Sequence, residues 1–325
     1  MKTIYNFTII ILCLLYFVCI FLNPHAIIET TKTSILLWAQ KIVTSLFPYF
    51  LIINVFVNSR IISYVSYIFL PVAKNIFKIS SQGFFAFIIG LLSGYPVGIK
   101  TVCSLYKENL ITKKEATKLL HYVNNSGPLF IIGTVGINFL NSKTQGYILF
   151  FAHTLASIII ALFVSVFSKI EWVSYKNYNV NINFDLGNLL SRSVKDSIEA
   201  ILLIGGFITL FFNLNFVLEY FKIYPLFCNT LHKLLGIDKN FIQGLLYGFF
   251  EITSGTILIS KSQTLSVFYK LLTCVFIISW GGMSVHFQAI SFLKEAELPI
   301  KTYLIGKCFH AILSVIILLI IFVVI

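Results

Sequence analysis

Two polar breaks inside apolar sequence constrain this chain more than any other feature. From Gly90 to Val135 it reads GLLSGYPVGIKTVCSLYKENLITKKEATKLLHYVNNSGPLFIIGTV. The apolar run stops at Gly94-Tyr95-Pro96-Val97-Gly98 and carries Lys100 into a second helical run. It turns through Lys107–Lys118, stops again at Asn124-Asn125-Ser126-Gly127-Pro128, and resumes. Such breaks free backbone N–H and C=O groups that hydrocarbon cannot satisfy, so they persist only where protein or a polar cavity covers them. Discontinuous helices of this kind build the binding sites of transporters.

The pattern returns 154 residues later: Gly90-Leu-Leu-Ser-Gly94 meets Gly244-Leu-Leu-Tyr-Gly248, Ser126-Gly127-Pro128 meets Trp280-Gly281-Gly282, and Lys107 meets Lys261. The alternative is coincidence, since Gly is common in membrane helices; the unchanged spacing between the two breaks counts against it. The expected fold is therefore an all-α polytopic membrane protein with two internal repeats, of the inverted-repeat kind, built from broken helices and helical hairpins. About eight to ten membrane segments are expected, some of them hairpins that do not fully cross. The expected organisation is a first transmembrane helix in 1–33, repeat one in 34–168, a polar linker in 169–196, repeat two in 197–295 and a last transmembrane helix in 296–325.

Composition fixes the class. Of 325 residues 58% are hydrophobic and 11% charged, and mean hydropathy is +0.92, whereas soluble domains carry about 25% charged residues. The formal net charge of +12 sits mostly in short loops, where it reads as topology signal and contact with anionic headgroups. No basic soluble face is available for nucleic acid. The six cysteines are scattered without a CxxC, so neither a metal site nor a disulfide framework is indicated. No cofactor is expected. HExxH, GxSxG and paired intramembrane aspartates are all absent, so the chain is not expected to be an enzyme.

Candidate binding residues follow from the breaks. Ser93, Tyr95, Lys100, Asn124, Asn125 and Ser126 belong to the first unit; Glu251, Thr253, Ser254, Ser279, Trp280, His286 and Gln288 belong to the second. The break positions are Gly94, Pro96, Gly98, Gly127, Pro128, Gly248, Gly255, Gly281 and Gly282. Gly94 suits a helix C-cap and Pro96 the start of the next half-helix. Ser126 or Gly127 can cap the following one, and Thr253-Ser254-Gly255 offers caps to the restart after Glu251. Helix starts after Tyr95, Ser126, Ser254 and Gly281 point partial positive charge and free N–H groups inward. Lys100 adds a full charge, or else snorkels to an interface. Glu251 is a coupling or gating residue, or a structural partner of Lys100. His121 reads as a packing residue; His153, His310 and Asn54 read as interhelical hydrogen-bond glue.

The motifs GLLSGYPVGIK, NNSGPLFIIGTVG and SWGGMSVHFQ resemble those of the sporulation integral membrane protein YlbJ family, within a wider group bearing Gate-type (nucleoside-recognition) domains. The likeness covers roughly Ser34 to Leu293. It implies a multi-pass protein of the bacterial cell membrane in an endospore former, in the membrane engulfing the forespore, moving dipicolinic acid. The residues suit an anion: Lys100 beside helix starts would bind carboxylate, and Tyr95 or Trp280 could stack on a ring. The alternatives are a nucleoside- or metal-type Gate-domain permease and a structural sporulation protein that transports nothing. Expected partners are the lipid bilayer and the small organic anion; self-association is left open.

Overall fold

Helix is the only regular structure among the described residues, 2–59, 61–167 and 185–324, of this computed structural model. Hydrocarbon demands as much, because a helix satisfies its own backbone. In chain order, α1 (Lys2–Leu22) bends through 112° at Asn23 into α2 (Pro24–Leu37), and a π-helical stretch (Trp38–Val43) joins α2 to α3 (Thr44–Asn58). Pro24 opens α2, where its missing N–H costs nothing. Pro48 lies within α3, just after the widened π turns, and the helix continues through it.

An irregular arm follows, made of α4 (Ile62–Val65), a 3-10 turn (Ser66–Phe69), α5 (Leu70–Val72) and a π turn (Ala73–Phe77). It bends through 93° into α6 (Ser81–Ser93). Then come α7 (Val97–Lys107), α8 (Lys113–Leu119), a π-helical segment (Leu129–Phe139) and α9 (Lys143–Val166). The second half holds α10 (Leu186–Tyr220), α11 (Ile223–Leu235), α12 (Lys239–Phe250), α13 (Ile252–Lys261), α14 (Val267–Trp280), α15 (Gly282–Glu295) and α16 (Ile300–Val324).

Four helical stretches among the described residues are long and apolar enough to cross a bilayer (Lys143–Val166, Leu186–Tyr220, Val267–Glu295 and Ile300–Val323), or six if each bent pair counts as one. The eight to ten membrane segments expected include hairpins that do not fully cross, and several apolar segments are indeed half-helices outside this count of full spans. Leu46–Asn58 and Leu129–Phe139 are apolar but short, below the ~20 residues a crossing takes.

The region expected to be a polar linker also differs. Residues 168–184 lie outside the described ones, but by Leu186 the chain is already helical. Asp185 caps α10 by accepting from Gly187 N at 3.1 Å and Asn188 N at 3.3 Å. A good cap starts a helix in polar sequence that periodicity alone does not mark. At 35 residues α10 is roughly 50 Å long, so its first turns extend past the apolar part and carry Arg192 and Asp196.

Two large apolar cores result, beside a small third one of Cys19, Ile27 and Val217. One gathers α3, α6 and α7 with α10 and α15. The other gathers the π-helical segment and α9 with α13, α14 and α16. The Lys-rich turn is stitched to the start of α6. Thr112 accepts from Glu115 N at 3.1 Å, but the Glu115 carboxylate does not return to its own cap. It accepts from Ser80 N at 2.7 Å and Ser80 Oγ at 2.6 Å instead. Lys118 Nζ donates to Phe77 O at 2.7 Å and Lys78 O at 3.0 Å, closing the end of the preceding π turn.

Candidate functional site

Backbone meets backbone at the breaks. α6 ends at Gly94, whose φ of +93° places it where a side chain is strained. The Tyr95-Pro96 bond is cis and α7 begins at Val97. A methyl group on Gly94 would stand 2.7 Å from Gly127 N, and one on Gly127 would stand 2.9 Å from Ser93 O. Gly98 packs on Gly90, with a methyl there 3.0 Å from the Gly90 Cα, and both lie against the Val123 carbonyl. The two breaks of the first unit therefore face each other.

The second unit does the same with different residues. α12 ends at Phe250, Glu251 is extended, and α13 begins at Ile252. A methyl on Gly282 would stand 3.1 Å from Gly248 O and 3.2 Å from Phe250 O. Gly255 packs on Gly248, with a methyl there 2.5 Å from Gly248 N. α7 begins at Val97 and α13 at Ile252; α8 begins at Lys113 and α14 at Val267. Both offsets lie within one residue of the 154 read from the motifs.

Around these contacts lies a small cavity of about 70 Å³, whose polar lining includes Ser93, Tyr95, Ser126, Glu251, Thr253, Ser284 and Gln288. Ile204, Ile208, Phe130 and Val285 form part of its apolar wall. Of the candidate residues, Ser93, Tyr95, Ser126, Glu251, Thr253 and Gln288 are thus brought together around one cavity. Glu251, 1% exposed, has a different task from the one anticipated. Its carboxylate accepts from Thr253 N at 3.0 Å and Ser254 N at 2.7 Å. It is the N-cap of α13, and it occupies the free N–H groups that a solute was expected to find there. Ser254 is also committed, donating to Glu251 O at 2.9 Å and accepting from Asn215 Nδ2 at 2.8 Å.

Lys100 is not at this cavity. Its ammonium donates to Asp196 O and lies 4.9 Å from the centre of the Phe50 ring. It lines a separate charged cavity of about 370 Å³ with Asn54, Lys107, Glu108, Arg192, Asp196, Glu199 and Glu295. The Lys100 backbone N–H donates to Pro96 O at 3.0 Å, one turn into α7, and its side chain lies on a face turned to α3 and α10 rather than to the breaks. The pairing of Lys100 with Glu251 therefore does not occur in this structure.

The lysine that does reach the breaks is Lys307 of α16, 3% exposed. Its Nζ donates to Asn124 O at 3.1 Å and stands 5.9 Å from the Tyr95 ring centre. Among the described residues it has no carboxylate partner. Asn124 Nδ2 donates to Tyr303 OH at 3.1 Å, and Tyr303 OH lies 2.9 Å from His286 Nδ1. The Trp280 and His286 rings are 4.3 Å apart, and Trp280 stacks on Phe249 at 5.7 Å. His153 of α9 joins the two units. Its Nε2 accepts from Ser126 N at 3.0 Å, which leaves the proton on Nδ1 to donate to Ser279 Oγ at 2.8 Å. His310 Nε2 donates to His153 O at 2.9 Å, and Asn125 Nδ2 to Tyr122 O at 2.8 Å. Sequence reasoning passed over Lys307 as one charge in an apolar helix. The 154-residue offset, carried past Leu293, pairs Lys307 with His153 and would have marked it.

Several buried polar atoms at the breaks have no protein partner: Ser93 Oγ, Tyr95 OH, Asn124 Oδ1, Asn125 Oδ1, Ser126 Oγ, Trp280 Nε1 and His286 Nε2. Native interiors leave few such groups, and each calls for an explanation. No cluster of three or more His, Cys, Asp or Glu residues suits a metal ion among the described residues.

Comparison with known proteins gives one anchor. The sporulation integral membrane protein YlbJ of Bacillus subtilis (strain 168) is 29% identical over 307 residues, spanning 88% of this chain and 75% of that protein. No family model matches, and no solved structure matches. This integral membrane protein is thus similar to the sporulation protein YlbJ over most of both chains, in keeping with the break motifs and the apolar helices.

Proposed function

We propose that the protein is a membrane permease for a small organic anion, and that its solute is dipicolinate, carried during endospore formation at the membrane around the forespore. One observation carries the reading. Helix breaks from both units border one interior cavity and are joined through His153, and they hold polar atoms that no protein group satisfies. Lipid offers such atoms nothing, and a polar solute passing between the breaks offers them hydrogen bonds. The same reading treats 34–168 and 197–295 as two repeats of one Gate-like unit, related by duplication. The solute class comes from the family resemblance, and the sporulation role of YlbJ agrees with it. No chemical step is part of the proposal.

Uptake of dipicolinate and of a nucleoside, measured side by side in proteoliposomes, tests it. Saturable dipicolinate uptake supports the permease. Nucleoside uptake in its place would favour a nucleoside permease, and uptake of neither would leave a structural sporulation protein.

A further inference from the structure

The polar atoms left without partners around the second break share one chemical character. His286 Nδ1 faces Tyr303 OH at 2.9 Å, and Tyr303 OH already accepts from Asn124 Nδ2 at 3.1 Å. Assigning the phenol proton to Nδ1 gives Tyr303 OH both a donor and an acceptor role, and in that tautomer the neutral imidazole carries its own proton on Nε2. That N–H is buried and has no partner, as is the indole N–H of Trp280, the next residue but five on the same helical hairpin. Lys307 contributes a buried ammonium that spends one proton on Asn124 O. Its stem passes Gly281, where a methyl group would stand 3.7 Å from the Lys307 Cε. The amide acceptors without a partner, Asn124 Oδ1 and Asn125 Oδ1, both belong to the first unit, and Asn124 already takes a Lys307 proton through its backbone. The second break itself thus offers donors, and Lys307, when protonated, adds a full positive charge to them.

A set of buried donors around a lysine with no carboxylate has a specific complement. An unpaired charge in an apolar interior costs several kcal/mol unless something compensates it. We propose that Lys307 Nζ, His286 Nε2–H and Trp280 Nε1–H form a binding site for a carboxylate group of a small anion, at the second helix break. The transported character of that anion rests on the permease reading; the site itself does not. A carboxylate has two acceptor oxygens and no donor, so it takes all three groups without leaving a new polar atom unpaired. A neutral amide of the same shape brings N–H groups to face N–H groups and is excluded. None of the three residues lines either cavity, so the site is closed here and an anion reaches it when the breaks part.

The test is equilibrium binding of radiolabelled pyridine-2,6-dicarboxylate to the detergent-purified full chain, with its diamide as competitor. The expected result is saturable binding that the diamide does not displace. Lys307→Met should weaken it at least about tenfold, the effect of losing a charged hydrogen bond. Trp280→Phe, which keeps the ring stack, should weaken it by about threefold to tenfold. Lys100→Met should bind as the wild type does. Thermal stability read on the same samples separates a binding role from a structural one. Without bound anion Lys307→Met should melt no lower than wild type, because it removes an uncompensated charge. Binding unchanged in Lys307→Met, displacement by the diamide, no binding by wild type, or a lower melting point with binding retained would overturn the site. Wild-type binding without flux would instead overturn the permease reading and leave the site standing. Flux with Lys307→Met binding as wild type does would do the reverse.

Discussion

The two halves of the molecule solve one steric problem and diverge on the electrostatic one. In each, a helix stops, restarts and is crossed by a second break through glycine contacts: Gly94 on Gly127 in the first, Gly248 with Gly282 in the second. At the restarts they part company. α7 starts behind Pro96 and the π-helical segment behind Pro128, with no side chain on their free N–H groups. α13 starts behind Glu251, whose two oxygens take the N–H groups of Thr253 and Ser254. At the 154-residue offset Glu251 corresponds to Val97. One broken helix is thus neutralised from within and the others keep their positive ends. Close backbone approach is the shared requirement, and the charge at each helix start is where the halves specialise.

The strongest test of the shared part is Gly94→Ala. It demands a side chain at φ +93° and 2.7 Å from Gly127 N, so a loss of about 3 kcal/mol or more is expected, seen as poor recovery of folded protein in detergent. Gly282→Ala, at φ +70° and 3.1 Å from Gly248 O, should fail in the same way. Tolerance of one and not the other would end the equivalence of the two crossings.

Next in size is the cap. Glu251→Ala strips two buried N–H groups of their acceptor and should cost about 2–3 kcal/mol in thermal unfolding. Glu251→Gln keeps an acceptor and should cost less, and the pH profile of any flux should stay that of the wild type. A flattened profile would show that Glu251 couples flux to protons as well as capping α13.

Ser279→Ala takes the acceptor from His153 Nδ1 and should cost about 1–2 kcal/mol, whereas an effect near zero would show that the link between the halves carries little. The smallest expected effect is at the rim of the charged cavity. Lys107 and Glu295 meet at 3.2 Å with side chains 47% and 62% exposed. Removing either should change stability by no more than about 1 kcal/mol, and less in high salt. A larger loss would mean that the rim, rather than the breaks, holds the halves together.

The breaks were legible because Gly and Pro in an apolar run violate what lipid tolerates, and so stand out without any knowledge of partners. Membership of Ser93, Tyr95, Ser126, Thr253 and Gln288 in one cavity followed from their place beside the breaks. Direction was not legible. Lys100 is close to Pro96 in sequence, but one turn of helix carries it to the Asp196 carbonyl and the other cavity. Lys307 is remote in sequence and close in space. The cap was hidden for another reason. Ser and Thr are the commoner N-caps, and Thr253-Ser254 drew attention from the carboxylate immediately before them. The beginning of α10 was hidden by its polar composition, which resembles a linker until Asp185 is seen holding the first turn.

His153 has a mechanical meaning beyond its hydrogen bonds. One ring is pinned on one side to the Ser126 amide and on the other to the Ser279 hydroxyl, like a rivet through two plates. Either plate can shift only within the slack of a hydrogen bond before the ring must swing or let go. Any parting of the two breaks therefore loads this joint, together with the Asn124 links to Tyr303 and Lys307.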